Sequence, residues 1–349
     1  MLQTKNRILW IDIAKAITIL LVVFGHTLRG GEVQRMVYGF HVPTFFLLAG
    51  MTCKTTDIKK QIGKDTLRIM VPYYIFGLAS ILIFLVLGKV AAESFALDVN
   101  TDLGSNLLEL LLANPKGGRM KFNLPLWFLP CLYVTKLMYY GIHKLFRGKQ
   151  GKILPAGLIL AALGFVYTAF RLPSLPFNFS VALKMLVFFA FGQWLFRMID
   201  NGKIRFKGGW LNCIPGVLLL VVACLVGYLA PKVNYSGDTF PHIGAFVITS
   251  LTGTVGICFL SVGIGKSRAL EFVGKNTLAV LLMHKFPVLL LQTVGPQKDL
   301  IARYDTLFGV AACLVAAMSA LTLCLAVGWV IRRFLPFLFG DFSCFKWKK

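Results

Sequence analysis

The sequence predicts an all-α, polytopic membrane protein that crosses the bilayer about ten times, with both termini in the cytosol. Three observations support this prediction. Of the 349 residues, 57% are hydrophobic and only 15% are charged, and the mean hydropathy is +0.74. A soluble domain of this length needs far more polar surface. The apolar residues fall in long runs, and most Lys and Arg residues lie in short stretches between those runs.

A membrane-spanning helix needs about 20 mostly apolar residues, within a range of about 17 to 25. Ten segments are predicted to form such helices: Ile8–Leu28, Tyr38–Cys53, Val71–Leu87, Leu126–Phe146, Ile153–Phe170, Val181–Met198, Trp210–Ala230, Ile243–Ile264, Leu270–Val294 and Leu307–Phe334. The second is short, so we expect it to be tilted or partly covered by neighbours. The long external segment Gly88–Pro125 contains a short apolar piece, Leu107–Ala113, which suits a re-entrant or surface helix.

The distribution of basic residues predicts the orientation. With the N-terminus in the cytosol, cytosolic segments hold 23 of the 37 Lys and Arg residues, external segments hold 10, and four lie within spans. This bias follows the positive-inside rule. An even number of crossings then places both termini in the cytosol. We expect residues 1–349 to form one membrane domain whose basic charge meets lipid headgroups and cytosolic anions, not nucleic acid.

The first span carries three ionisable residues, Asp12, Lys15 and His26. His26 lies eleven positions after Lys15, which is close to three helical turns, so both project from one face about 16 Å apart. Asp12 lies on the same side and can pair with Lys15. His41 opens the second span, and an antiparallel turn near residue 33 places it level with His26. Ionisable residues inside spans are costly and usually face a cavity, so the pattern predicts a polar pocket.

Each of these residues also has a simpler interpretation. His26 and His41 can face the aqueous boundary, and Lys15 can serve only as the salt-bridge partner of Asp12. Trp127 can anchor the fourth span at the interface or stack on a sugar. Lys64 and Arg68 can bind lipid headgroups or a phosphorylated ligand.

Two further polar residues, Asn276 and His284, lie in the ninth span. On a regular helix their spacing of eight separates them by roughly 80°, so the pattern does not place either one firmly in the pocket. The eight cysteines are scattered and show no metal-ligand spacing. We therefore expect neither a metal site nor a disulfide framework.

The run RILWIDIAKAITILLVVFGHTLRGG, followed by YGFHVPTFFLLAGMTCK, resembles the acyltransferase-3 family, and is closest to its fucose 4-O-acetylase-like branch. The resemblance continues in KDTLRIMVPYYIFG, LPLWFLPCLYV and FVGKNTLAVLLMHKFP. The family's spacing of a basic residue, ten others and a histidine falls on Lys15 and His26. Three departures are mild: Lys15 where many members have Arg, Ala16 for Gly, and Val42 for Met. No added soluble catalytic domain is apparent.

The resemblance implies transfer of an acetyl or similar short acyl group, such as succinyl, from a cytosolic acyl-CoA. The implied acceptor is a hydroxyl of a cell-envelope or exported glycan, or of a lipid-linked sugar, at a bacterial plasma membrane. His26 is then expected to be the general base, with a covalent acyl-His26 relay as the alternative. His41 is expected to orient the acceptor or stabilise the oxyanion. Lys15, held by Asp12, is expected to contact the CoA arm.

The remaining candidates divide between donor and acceptor. Arg68 and Lys64 are expected to bind the CoA phosphates, and Trp127, Asn276 and His284 to bind the acceptor. The donor is acetyl-CoA or another short acyl-CoA, and no metal is expected. Two other functions stay open at this point. One is a transporter or flippase of a glycan intermediate or small metabolite, and the other is a non-catalytic subunit of a polysaccharide synthesis complex.

Overall fold

The computed structural model describes residues 3–4, 7–95, 100–204, 206, 209–295 and 297–342. Two-residue strands β1 (Gln3–Thr4) and β2 (Arg7–Ile8) pair antiparallel, and the rest of the regular structure in the described chain is helical apart from an isolated bridge between Asn234 and Thr239. The prediction of an all-α fold built on long apolar helices is therefore confirmed.

Sixteen α-helices occur in the described residues. In chain order they are α1 (Leu9–Thr27), α2 (Gly31–Tyr38), α3 (His41–Met51), α4 (Ile58–Asp65), α5 (Val71–Phe95), α6 (Leu103–Leu112), α7 (Phe128–Leu145), α8 (Gln150–Ala169), α9 (Phe179–Asp200), α10 (Cys213–Leu229), α11 (Ile243–Ile264), α12 (Arg268–Lys275), α13 (Thr277–Met283), α14 (Lys285–Thr293), α15 (Gln297–Ala302) and α16 (Leu307–Phe334). A π-helical turn, Thr66–Met70, joins α4 to α5. Single 3₁₀ turns precede α7, α9 and α10 and follow α16.

Seven helical segments of the described chain are long and apolar enough to cross a membrane: Leu9–Thr27, Ile58–Val86, Gln150–Ala169, Pro176–Asp200, Trp210–Leu229, Ile243–Ile264 and Leu307–Phe334. The other three predicted spans are also helical. They correspond to α3, which has 11 residues, to α7, which has 18, and to the series α12–α14. The number of crossings and the side on which the termini lie stay predictions.

The ninth predicted span, Leu270–Val294, is not one regular helix. Asn276 has φ −112° and ψ 15° and separates α12 from α13, and a turn at His284 separates α13 from α14. Pro287 lacks the backbone N–H that would bond to Met283, which loosens the helix at this point. The 80° separation expected for Asn276 and His284 assumed a regular helix, and this segment is interrupted at Asn276.

The segment before α7 contains α6, which has ten residues and is too short to span the bilayer. The Tyr73 hydroxyl of α5 donates to the Leu110 carbonyl of α6 over 2.6 Å. This hydrogen bond connects α6 to α5.

Close backbone contacts position the helices that carry the candidate site. A Cβ added to Gly50 would lie 2.0 Å from the Phe189 carbonyl oxygen, and one on Gly192 would lie 2.0 Å from the Leu47 oxygen. These two glycines therefore let α3 and α9 pack backbone to backbone, as small residues do in membrane helix pairs. Gly274 of α12 similarly approaches the carbonyl of Asp12. Through these contacts α3 and the start of α1 are held in fixed positions.

Candidate active site

A cavity of about 450 Å³ lies among α1, α2, α3, α13, the π-helical turn, the start of α7 and the loop between α10 and α11. This volume is typical of a small-molecule site. On α1 the lining residues recur at helical spacing: Lys15, Ile19, Val22 and His26. They form one face of the helix, so the cavity follows α1 for about 16 Å. The lining residues of α3 and its C-cap run from His41 to Thr52, which is the whole length of that helix.

The structure places five of the predicted site residues on the cavity wall: Lys15, His26, His41, Arg68 and Trp127. Trp127 is buried at the start of α7, beside the aromatic ring of Phe128. Arg68 lies in the π-helical turn, a distortion that often occurs at functional sites. The wall thus combines cationic, imidazole and aromatic side chains.

The other predicted site residues lie outside the lining. Asp12 is buried in the first turn of α1, and Lys64 is exposed in the last turn of α4. Asn276 uses its side-chain Nδ2 to donate to the Phe272 carbonyl over 2.8 Å. His284 is fully buried and does not line the cavity, yet its ring lies against His26, with 5.2 Å between the centroids.

Four rings form a connected cluster at the His26 end of the cavity. The Tyr38 ring contacts His26 at a centroid distance of 6.2 Å and His41 at 4.9 Å. His284, at the C-terminal end of α13, contacts the His26 ring at a centroid distance of 5.2 Å. The two histidines predicted to lie level with each other therefore share one cavity, and Tyr38 contacts both of them.

Backbone carbonyls determine which nitrogen is protonated in two of these histidines. His41 Nδ1 lies 2.9 Å from the Val37 oxygen, and His284 Nδ1 lies 2.8 Å from the Val280 oxygen. A carbonyl only accepts, so each Nδ1 must carry the proton, and in the neutral ring Nε2 carries the lone pair. His284 Nε2 is buried and has no hydrogen-bond partner among the described residues.

This geometry separates the two roles expected for His41. In its neutral form the ring presents an acceptor at Nε2, which suits the binding of an acceptor hydroxyl. Stabilising an oxyanion requires a donor, and the only N–H of the neutral ring is already bonded to Val37. The His26 ring makes no hydrogen bond to the described residues, so neither of its nitrogens is committed.

The loop between α10 and α11 supplies lining residues that sequence reasoning missed: Lys232, Asn234, Tyr235 and Ser236. Tyr235 packs edge-on against His41 at a centroid distance of 5.8 Å, and its hydroxyl donates to the Gly39 carbonyl over 3.3 Å. Burial raises the pKa of the Tyr235 hydroxyl well above its ordinary value, and burial lowers the pKa of the Lys232 ammonium. In the sequence, Lys232 is only one of the ten basic residues that the predicted orientation assigns to external segments.

A buried ion pair fixes this loop. Lys184 of α9 donates to Asp238 Oδ1 over 2.5 Å, and Ser180 and Thr168 donate to Asp238 Oδ2 over 2.6 and 2.9 Å. Both charged residues are buried. The position of Lys184 within an apolar span indicates from the sequence that it has a partner, because a charged side chain inside a membrane usually pairs with another polar group. The sequence does not indicate which carboxylate that partner is.

The electrostatic character of the cavity is one-sided. Three cationic side chains line it, Lys15, Arg68 and Lys232, whereas no carboxylate of the described residues does so. A concave site with charges of one sign favours ligands of the opposite sign.

Comparison with known proteins identifies the family. The profile of the acyltransferase-3 family, described as an acyltransferase domain, matches residues 8–337. Neither the comparison with curated proteins nor the comparison with solved structures found a match. The fucose 4-O-acetylase-like branch stays a prediction. The family match covers most of the chain and coincides with its long apolar helices, and the chain therefore belongs to the acyltransferase-3 family and is a membrane acyltransferase.

Proposed function

We propose that this protein transfers an acetyl or similar short acyl group from a cytosolic acyl-CoA to a hydroxyl of a cell-envelope or exported glycan, at a bacterial plasma membrane. The observation that supports this most is the cavity along α1. It runs from Lys15 to the imidazoles of His26 and His41 about three helical turns away. Arg68 lies toward the Lys15 end, because the Tyr140 hydroxyl contacts both Asp65, just before the turn that holds Arg68, and Cys53, just after the end of α3 opposite His41. One end suits the phosphates of a donor, and the other end suits a hydroxyl to be deprotonated.

In this proposal the donor occupies the Lys15 end of the cavity. Arg68 binds a CoA phosphate, because its planar guanidinium can engage two phosphate oxygens at once. Lys15 contacts the pantetheine arm, which extends along α1 so that the thioester lies near His26. Lys64 lies outside the lining, so it attracts the anionic donor without contacting it in the bound state.

The chemical step uses His26 as the general base. A nitrogen of His26 takes the proton from the acceptor hydroxyl as the hydroxyl oxygen forms a bond to the thioester carbonyl carbon. The carbon–sulfur bond then breaks, and the proton passes from the imidazolium to the departing thiolate. The products are an O-acyl ester and free CoA, and His26 returns to its starting form. In the covalent alternative, the acyl group rests on His26 before it reaches the hydroxyl.

The acceptor is held by groups around His26. His41 accepts a hydrogen bond at Nε2 and so orients a sugar hydroxyl. Trp127 and Tyr235 provide aromatic surface for the apolar faces of a sugar ring. These assignments rest on the placement of the three side chains in one lining.

Replacement of His26 tests the proposal. Cells that express His26→Ala should insert the protein normally but incorporate no acyl group into envelope glycans, as measured by mass spectrometry after labelling. The control is His242→Asn, because His242 caps α11 outside the cavity and asparagine preserves such a cap. Full incorporation with His26→Ala would contradict the assigned base.

Donor binding separates acyl transfer from glycan export. Purified wild-type protein should melt at a higher temperature in the presence of acetyl-CoA, because a ligand that binds only the native state stabilises it. Arg68→Ala should lose much of this shift. A glycan exporter should show no stabilisation by CoA in either form.

A further inference from the structure

We infer that the acceptor carries a negative charge, either phosphate or carboxylate, close to the hydroxyl that is acylated, and that Lys232 binds this charge. The inference rests on the proposed function and specifies the class of acceptor. It is carried by the position of Lys232, by its hydrogen-bond partner, and by the lack of carboxylates in the described lining of the cavity.

Lys232 lies at the histidine end of the cavity. Its Nζ is 4.4 Å from the centre of the Tyr38 ring, and Tyr38 in turn contacts both His26 and His41. The ammonium is therefore one aromatic ring away from the proposed base. An acceptor placed with a hydroxyl at His26 would bring its neighbouring substituents to Lys232.

The hydrogen-bond partner of Lys232 is a neutral side chain. The Nζ of Lys232 donates to Gln34 Oε1 over 2.6 Å. Gln34 is itself fixed, because its Nε2 donates to the carbonyls of Gly25 and Leu28 over 2.8 and 2.6 Å. This arrangement directs the amide oxygen at the lysine. It also leaves donor capacity on the ammonium, which has three N–H groups.

No carboxylate of the described residues forms an ion pair with Lys232. Lys232 is exposed as a residue, but its ammonium is partly buried beside Gln34, and this burial lowers the pKa of the ammonium. The buried Lys184, by contrast, is fully compensated by Asp238 of the same loop. The fold thus neutralises one lysine and presents the other, in a fixed loop, to the cavity.

The donor phosphates do not account for Lys232. Lys15 and Arg68 line the other end of the cavity, and Lys15 is about 16 Å along α1 from His26. A donor with its thioester at His26 and its phosphates at Arg68 leaves the Lys232 end to the acceptor. Two sources supply an anion there: the phosphate of a polyprenyl-linked sugar and the carboxylate of an acidic sugar.

Binding measurements with matched probes test the inference. The full-length protein in lipid nanodiscs would be titrated with undecaprenyl phosphate against undecaprenol, and with octyl β-D-glucuronide against octyl β-D-glucoside. At least one anionic probe should bind the wild type about 10- to 100-fold more tightly than its neutral counterpart, the range typical of one charge-assisted hydrogen bond. The pair that shows the preference identifies the phosphate or the carboxylate.

Three variants assign the preference to Lys232. Lys232→Gln should remove it, and Lys232→Arg should keep most of it, which excludes a general folding defect. Lys298→Gln should leave it unchanged, because Lys298 is an exposed lysine outside the cavity lining. Equal binding of both members of each pair by the wild type would overturn the inference, as would an undiminished preference in Lys232→Gln.

These titrations do not depend on acyl transfer, so the two proposals can fail separately. If His26→Ala retains full acylation, the proposed mechanism is wrong. The charge preference is still tested independently by the binding titrations. If the probes bind without a charge preference but acylation requires His26, the proposed function stands and the acceptor assignment is wrong.

Discussion

The imidazole rings of His26 and His284 lie with their centroids 5.2 Å apart, although the two residues are far apart in the sequence. His284 donates through Nδ1 to Val280, and its buried Nε2 has no partner among the described residues. The two rings are not hydrogen-bonded to each other in this structure, and we expect a ring N–H of His26 to donate to this nitrogen when the acceptor binds. The other His26 nitrogen is then left with the lone pair that proton abstraction requires.

Replacement of His284 should separate activity from stability. His284→Leu removes a buried polar atom without a partner, an arrangement that costs about 1–3 kcal/mol. The melting temperature should therefore stay the same or rise. The rate of acyl transfer should fall about tenfold or more. His284→Gln keeps an acceptor in the side chain and should recover part of the activity. A His284→Leu variant with unchanged acyl transfer would show that His284 has no part in the reaction.

Lys15 should act through its charge. Lys15→Arg should keep most of the activity, and Lys15→Ala should raise the KM for acyl-CoA by about tenfold or more, as expected for the loss of one hydrogen bond to a charged group. Steady-state kinetics with varied acyl-CoA measures both variants. Equal losses in the two variants would argue against a simple cationic contact.

Arg68 and Lys64 form a matched pair on the same side of the predicted membrane domain. Only Arg68 lines the cavity. Arg68→Ala should therefore raise the KM for acyl-CoA about tenfold or more, whereas Lys64→Ala should change it by about twofold or less, because an exposed charge at a distance contributes little. The comparison is made at fixed ionic strength. Equal effects would mean that the phosphates lie outside the cavity.

The Lys184–Asp238 pair should be essential for stability. Asp238→Asn leaves Lys184 buried without a counter-ion and should destabilise the protein by about 3–5 kcal/mol. The double variant Lys184→Met with Asp238→Leu removes both charges and should recover much of this loss. Thermal unfolding in detergent measures both. An unchanged melting temperature for Asp238→Asn would show that the pair does not hold the loop in place.

The fold class, the apolar segments and the face of α1 that lines the cavity are predictable from the sequence alone. Lys15 and His26 are both on α1, so helical periodicity alone predicts that they share a face, and both line the cavity. The acyltransferase-3 resemblance was also visible in the sequence, and the family match confirms it. Each of these features can be recognised from residues that lie close together in the sequence.

The residues that surround that face from distant parts of the chain are known only from the packing of the helices. The contact of His284 with His26 depends on how α13 and α14 pack against α1, and the place of Lys232 depends on a loop held by Asp238 and Lys184. Periodicity gives the direction of a side chain around its own helix axis. It does not give the packing of helices that are far apart in the chain, because that packing depends on close contacts such as those of Gly50 and Gly192.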